Sequence, residues 1–128
     1  MRLLADTCTF LWMAEDSSEL SDTARRLLAD PDNEVYLSAI SAWEIAVKQG
    51  LGKLNLSAPA LSWVPKYRVA HQLQELPLDE TSALQVTRLP LLHRDPFDRM
   101  LVCQAIVHGL AIVSPDPLIA QYSIRALW

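Results

Sequence analysis

The chain has 128 residues, of which 51% are hydrophobic and 20% are charged, and its formal net charge at pH 7 is −4. This length suffices for one compact domain over residues 1–128, and no apolar run approaches the roughly 20 residues of a membrane span, so a soluble cytoplasmic protein is expected. The charge excludes binding to nucleic acid through bulk positive charge, but carboxylates that cluster around divalent cations remain compatible with a nuclease.

The first half of the chain alternates apolar runs of strand length with longer patterns typical of helices. Thr7 is a candidate N-cap for the first helix, and Gly50 is a C-terminal signal for the third. In chain order, the predicted elements are a strand at 2–6, helices at 7–14 and 21–30, a turn at 31–33, a strand at 34–38 and a helix at 39–49.

Proline and glycine delimit the elements of the second half. Pro65 is expected to break or kink a helix, and Pro77 places the third strand near an edge of the sheet. Pro96 and Gly109 mark the start and the end of the longest helix. In chain order, the predicted elements are a partial helix within 59–72, a strand at 73–78, helices at 79–89 and 96–109, a strand at 110–114, a short helix at 116–122 and an edge strand at 123–128.

The alternation of strands and helices predicts an α/β fold. Right-handed crossovers then place helices on both faces of a parallel sheet of four to five strands. Ligands of such sheets bind outside the carboxyl ends of the strands. Side chains that follow the strands directly are therefore candidates for a functional site.

Four carboxylates from distant segments are expected to converge on this edge of the sheet. Asp6 follows the first strand, and Asp116 comes two residues after the fourth. Asp98 lies in the first turn of the helix that precedes the fourth strand, and Glu44 lies in the helix that follows the second. Mg²⁺ and Mn²⁺ prefer oxygen ligands, so a rim of acids would suit either ion.

Each of these acids also has a purely structural interpretation. Asp6, Asp95 and Asp116 stand where N-caps are expected, and Asp98 would interact favourably with a helix dipole. N-caps alone do not require a common edge, because helices begin at both ends of a sheet.

Glu44 has two structural alternatives of its own. It completes an S-x-x-E capping box with Ser41, and it also lies four residues before Lys48, where an ion pair would be expected.

Three segments, read in order, resemble a known family. The segments LLADTCTFLW, SAISAWEIAVKQGLGKL and HRDPFDRMLVCQAIVHGLAIVSPDPLIAQY are similar to those of PIN-domain proteins, and more narrowly of the VapC-type toxins of bacterial toxin–antitoxin pairs. The resemblance spans essentially the whole chain. It departs from the family pattern at Cys8, where many relatives have histidine, and at the S-P-D sequence that precedes the last acid.

The resemblance implies a three-layer α/β/α sandwich whose acidic site consists of Asp6, Glu44, Asp98 and Asp116. It implies that these residues bind Mg²⁺ or Mn²⁺ and hydrolyse RNA phosphodiester bonds. It further implies a homodimer and a cognate antitoxin that blocks the site.

Residues around the acids suggest supporting roles. Arg94 and Arg99 are candidates for contacting flanking phosphates of RNA, although Arg99 could instead pair with a neighbouring acid. His93 is a candidate proton shuttle, but a histidine in a surface loop is more often idle. Crowding of the carboxylates without metal would raise their pKa values, so activity is expected to fall at acidic pH.

Other groups in the chain are less specific. Thr7 and Ser114 could hydrogen-bond the acids from outside the ligand set. The tryptophans Trp12, Trp43 and Trp63 indicate either a tight core or a groove for a partner chain. The two cysteines are expected to be small buried thiols, since neither belongs to a C-x-x-C pair.

Two alternative protein classes require residues that this chain lacks, and a third is disfavoured by the four acids. A haloacid-dehalogenase-like phosphatase needs a second aspartate where Cys8 stands, and a receiver domain needs paired acids after the first strand. A degenerate PIN-like domain that only binds a protein partner remains the main alternative. The presence of all four acids favours the enzyme.

Overall fold

The computed structural model describes all 128 residues, Met1 to Trp128, and its centre is a parallel sheet of five strands. The strands are β1 (Arg2–Ala5), β2 (Glu34–Ser38), β3 (Gln74–Leu76), β4 (Ala111–Val113) and β5 (Ala126–Leu127). Their order across the sheet is β3-β2-β1-β4-β5, and every neighbouring pair is parallel. The predicted parallel sheet is confirmed, as are the edge positions of the third and the last strand.

Seven α-helices and one 3₁₀ turn connect the strands. The helices are α1 (Thr7–Glu15), α2 (Asp22–Ala29), α3 (Ala39–Gly50), α4 (Ala60–Ala70), α5 (Glu80–Leu84), α6 (Pro96–His108) and α7 (Pro117–Ala120), and the 3₁₀ turn covers Gln85–Arg88. None of these helices combines the length and the hydropathy that crossing a bilayer would require.

The alternation of side chains along the central strands divides the core into two layers. Leu3 and Ala5 of β1 point into one apolar cluster, which also contains Phe10 of α1 and Trp63 of α4. Leu4, between them, points into a second cluster on the opposite face, which α6 supplies with several of its buried residues. Because successive side chains of a strand face opposite sides, helices cover both faces, and the predicted three-layer α/β/α sandwich is confirmed.

Four local expectations are corrected by the structure. Helix α4 continues through Pro65 without a break. Proline has no backbone N–H, so the carbonyl of Leu61, four residues earlier, loses its helical hydrogen bond. Leu61 is 91% exposed, so water can replace the missing donor. The predicted helix over 79–89 changes to a 3₁₀ turn after Leu84. Thr7 is not the cap of α1 but its first residue, and Gly50 is the last residue of α3, with Leu51 as the C-cap.

A polar cluster joins the start of α5 to the end of α6. Asp79 caps α5 through the backbone N–H of Ser82, and its carboxylate lies 2.8 Å from Nε2 of His108. The Ser82 hydroxyl donates a hydrogen bond of 2.6 Å to the same carboxylate. These hydrogen bonds, from Ser82 first and then from His108, hold the pKa of Asp79 well below its ordinary value.

The variant Asp79→Asn is expected to lower the Tm at pH 7, because asparagine keeps a cap acceptor but loses the negative charge that faces His108. A carboxylate with a depressed pKa stabilises the fold above its unfolded pKa, so the difference from wild type should shrink as pH falls below about 4. Thermal melts followed by circular dichroism at pH 7 and pH 3 measure both effects. An equal Tm difference at the two pH values would contradict this assignment.

Candidate active site

The carboxyl edge of the sheet carries a pocket of about 350 Å³ that contains all four predicted acids. A fifth carboxylate, from Asp95, lies in its lining as well. The other charged residues of the lining are two lysines, Lys48 and Lys53. Five carboxylates against two ammonium groups leave the pocket negatively charged.

Asp6 lies at the centre of this edge because β1 is the central strand of the sheet. Its backbone N–H donates to the carbonyl of Val113 in β4, and its carboxylate caps α1 by accepting from the N–H of Thr9 at 2.9 Å. The residue is only 3% exposed. Burial raises the pKa of Asp6, and hydrogen bonds from Ser114 and Thr9 oppose that shift only in part. Ser114, which is expected to support an acid, also accepts a hydrogen bond of 3.1 Å from the backbone N–H of Asp116.

Glu44 is held by two neighbours inside the pocket. The Thr7 hydroxyl donates to its Oε1 at 2.7 Å, and Lys48 forms an ion pair with its Oε2. The predicted support by Thr7 and the pairing with Lys48 are both confirmed. The capping box with Ser41 is wrong, because Ser38 caps α3 and Ser41 lies inside the helix.

Asp98 is the residue in which the crowding of the pocket is most evident. Burial raises its pKa to about 7, and the negative charges of Asp95, Glu44, Asp116 and Asp6 add to the effect. All four other pocket acids therefore lie close enough to repel Asp98. The predicted rise in pKa through crowding is therefore found for Asp98, whereas the rise in the pKa of Asp6 comes from burial.

Three of the pocket acids are N-caps at the same time. Asp95 accepts from the N–H groups of Phe97 and Asp98, and Asp116 accepts from that of Leu118. Capping and membership of the pocket are therefore compatible, because helices that follow parallel strands begin at the carboxyl edge.

The donor set suits a hard divalent cation, although the side chains are not drawn together around one point. No three acidic, histidine or cysteine side chains are arranged as a ready set of metal ligands. Asp6 and Asp116 are instead engaged as N-caps, and Glu44 is engaged in an ion pair with Lys48. All the candidate donors are oxygens and their negative charge is not balanced, so these residues fit Mg²⁺ or Mn²⁺.

The residues predicted to assist the acids are distributed differently from expectation. Neither Arg94 nor Arg99 lines the pocket. Arg94 is exposed, whereas Arg99 donates to the carbonyl of Pro90 at 2.9 Å and to the hydroxyl of Tyr122 at 3.1 Å. The guanidinium of Arg99 is thus engaged in holding the loop before α6, and its placement does not support the predicted phosphate contact.

Two further expectations are wrong in an informative way. His93 is not a surface histidine, since its side chain is only 7% exposed and lies 3.5 Å from Asp98. Cys103 is buried as expected, but Cys8 is partly exposed in the pocket, with its thiol 3.3 Å from Asp6. Burial and the adjacent Asp6 charge raise the pKa of the Cys8 thiol, so it is a weak ligand.

The family model described as "PIN domain" matches residues 3–124. The chain belongs to the PIN-domain family. It is 28% identical over 115 residues to a protein named Ribonuclease VapC22 from Mycobacterium tuberculosis (strain ATCC 25618 / H37Rv), which covers 89% of this chain and 86% of the relative.

Two solved structures have the same PIN-domain fold. VapBC2 from Rickettsia felis, bound to a DNA fragment from its promoter, aligns with a TM-score of 0.73 at 14% identity, covering 99% of this chain and 98% of that one. DNA-bound VapBC from Salmonella typhimurium aligns with a TM-score of 0.70 at 18% identity, covering 99% and 97%. The resemblance read from the ordered segments is thereby confirmed.

Sequence reasoning missed one charged residue in the pocket of this PIN domain. Lys53 reaches the pocket because the chain turns back after α3, where Gly52 adopts a φ of +72° and the N–H of Lys53 donates to the carbonyl of Lys48 at 2.8 Å. Glycine adopts this left-handed conformation without a steric penalty. The G-L-G-K sequence was a turn signal that could have directed attention to Lys53.

The cluster of Asp79, Ser82 and His108 does not form a second catalytic site in this PIN domain. A catalytic triad needs a histidine that contacts the acid with one ring nitrogen and the nucleophile with the other. Here Nε2 of His108 faces both partners, and Ser82 is completely buried. The cluster is therefore a helix-to-helix connection.

The variant Asp98→Asn is expected to raise the Tm of the metal-free protein at pH 8. The raised pKa of Asp98 means that the folded chain binds its proton more tightly than the unfolded chain, so ionisation destabilises the fold as pH rises from 3.8 to about 7. Asparagine removes this penalty. Thermal melts with a chelator at pH 8 and pH 4 test the effect, which should vanish at pH 4.

Asp32→Asn is the matched control, since Asp32 is exposed and lies outside the pocket. The same neutralisation there is expected to give no comparable gain. A destabilised Asp98→Asn protein at pH 8 would show that the repulsion inferred for the pocket is absent.

Proposed function

We propose that this PIN-domain protein is a metal-dependent endoribonuclease that hydrolyses RNA phosphodiester bonds. The observation that carries the proposal is the pocket of five carboxylates, in which burial raises the pKa of Asp6, and burial together with the neighbouring carboxylates raises the pKa of Asp98. A protein keeps such a costly arrangement of charge mainly at functional sites. The similarity to a relative named as a ribonuclease supports RNA as the substrate.

We assign Asp6, Glu44, Asp98 and Asp116 as the ligands of Mg²⁺ or Mn²⁺. When bound, a divalent cation lowers the pKa of coordinated water and stabilises charge on the phosphoryl oxygens. Asp6 supplies a rigid carboxylate, since its backbone is joined to β4 and its side chain to α1. Glu44 is oriented by Thr7 and Lys48, and a bound cation would compete with Lys48 for its carboxylate.

The two pocket lysines are better candidates than the arginines for contacting RNA phosphates. Lys53 is exposed at the rim and forms no salt bridge within 4.0 Å, so its ammonium group is available to an anion. Its charge would offset the repulsion between the acidic pocket and the RNA backbone. Lys48 would take part once a cation has replaced it at Glu44.

We further propose that the protein is the toxin of a toxin–antitoxin pair, acts in the cytoplasm where its RNA substrate lies, and forms a homodimer. The VapBC names of the structural relatives support a protein antitoxin. Several large apolar side chains are exposed and are candidates for these interfaces, including Trp43 at 57%, Leu61 at 91% and Leu91 at 73%. Trp12 and Trp63, by contrast, pack within the fold.

The second candidate function is a catalytically inactive PIN domain that only binds a protein partner. The exposed apolar residues would suit that function as well. It gives no reason for a pocket in which four neighbouring carboxylates raise the pKa of Asp98, so the nuclease is favoured.

The variant Asp6→Asn is expected to reduce RNA cleavage by about 100-fold or more, because it removes the most rigid of the proposed metal ligands. Asparagine is an equally good N-cap, so the helix start and the fold should be preserved. Cleavage is measured by sequencing RNA ends after incubation with Mn²⁺, with circular dichroism as the check on folding.

Asp32→Asn should cleave like wild type, and a chelator should abolish wild-type cleavage. Expression in bacterial cells should arrest growth for wild type but not for Asp6→Asn. If wild type cuts no RNA with either cation, the partner-binding alternative replaces the nuclease.

The variant Lys53→Gln is expected to weaken the binding of single-stranded RNA several-fold and to reduce the slope of log K against log[salt] by about 0.7, the value for one phosphate contact. Binding is measured in the Asp6→Asn background, so that no RNA is cut during titration. Lys66→Gln is the control, because Lys66 is exposed beside Tyr67 and lies outside the pocket. Equal salt slopes for both variants would exclude Lys53 from the RNA contact.

A further inference from the structure

A chain of hydrogen-bonding side chains runs from Arg99 in α6, through the buried side chains of Tyr122 and His93, to Asp98 in the pocket. The guanidinium of Arg99 donates to the hydroxyl of Tyr122 at 3.1 Å, and that hydroxyl lies 2.8 Å from Nδ1 of His93. On the other side of the imidazole ring, Nε2 lies 3.5 Å from Oδ2 of Asp98. The chain thus begins at a permanent positive charge and ends at a proposed metal ligand.

The hydrogen-bond capacity of these groups determines which ring nitrogen of a neutral His93 carries the proton. Arg99 can only donate, so the oxygen of Tyr122 accepts from it. The single Tyr122 proton has one acceptor within reach, Nδ1 of His93. Nδ1 is therefore an acceptor, and the ring proton belongs on Nε2, which faces Asp98.

This Nε2 group lacks a partner in the structure. It is buried from solvent and forms no hydrogen bond with the protein. A buried donor without an acceptor is unfavourable, and the nearest candidate is the carboxylate of Asp98. A slight approach of that carboxylate would complete the bond.

We propose that His93 is a positioning residue that fixes the carboxylate of Asp98 for the divalent cation. In the metal-bound protein, Nε2–H of His93 donates to one oxygen of Asp98 and leaves the other oxygen available to the cation. Tyr122 and Arg99 keep the ring in the required tautomer and orientation. The inference rests on the proposed function, because it takes Asp98 as a metal ligand.

The arrangement explains why Arg99 and His93 lie beside the acids without lining the pocket. His93 acts on Asp98 directly, and Arg99 acts on it through Tyr122 and His93. Hydrogen bonds to metal ligands from a second layer of residues commonly change metal affinity by about 10- to 100-fold. The chain Arg99–Tyr122–His93 would provide such a layer on the side of the pocket formed by α6 and the C-terminal segment.

The experiment is titration of the full chain with Mn²⁺ by calorimetry, independent of RNA cleavage. We expect His93→Leu to weaken Mn²⁺ binding by about 10- to 100-fold. His93→Gln should retain most of the affinity, because its amide N–H₂ can replace Nε2–H as the donor. His71→Leu is the matched control, since His71 is exposed far from the acids, and it should bind like wild type.

A second readout detects the tautomer directly. Nitrogen NMR of the imidazole should show His93 of wild type protonated at Nε2, and Tyr122→Phe should remove this preference and weaken Mn²⁺ binding less than His93→Leu does. A purely structural role of His93 would change the Tm but would not make glutamine restore Mn²⁺ affinity.

The outcomes separate this inference from the nuclease proposal. If wild type binds Mn²⁺ and His93→Leu binds it equally well, the positioning role is overturned while the metal site stands. Protonation of wild-type His93 at Nδ1 would also overturn it. If wild type binds no Mn²⁺, both proposals fail together.

Discussion

Strand β1 pairs in parallel with β2 on one side and with β4 on the other, and this pairing determines where the pocket acids lie. Parallel pairing brings the carboxyl ends of the three strands to one edge, so the helices that follow them begin there. Asp6 directly follows β1, and Asp116 comes three residues after the end of β4. Glu44 lies in α3, the helix that follows β2. Without this pairing the acids would have no common surface.

The N-cap geometry makes the concentration of charge tolerable. Asp6, Asp95 and Asp116 each accept hydrogen bonds from backbone N–H groups at helix starts, where the helix dipole favours negative charge. Asp98 does not cap a helix, and its pKa rises to about 7. Three of the acids thus receive hydrogen bonds from helix starts, whereas the charge of Asp98 would be compensated by the proposed cation and, we infer, by His93.

The difference between the lysines and the arginines shows how local structure assigns roles to similar charges. Arg99 has five donors in a planar fork and donates to the carbonyls of Leu89 and Pro90 and to the hydroxyl of Tyr122. Lys48 forms a single ion pair that a cation can replace, and Lys53 is brought to the rim by the turn at Gly52. Proximity to the acids along the sequence therefore did not predict which basic residues line the pocket.

The sequence by itself determined the order of the elements, the parallel sheet and the edge at which Asp6, Glu44, Asp98 and Asp116 meet. It could do so because period, capping residues and strand-to-helix alternation are local signals that a parallel topology converts into a common edge.

Only the tertiary structure decided the placement of His93, Arg99 and Lys53, because their environments depend on residues distant along the chain. Tyr122, 29 positions after His93, turns a loop histidine into a buried one beside Asp98. No local pattern encodes a contact of that kind, since it exists only once α6 and the C-terminal segment have packed against each other.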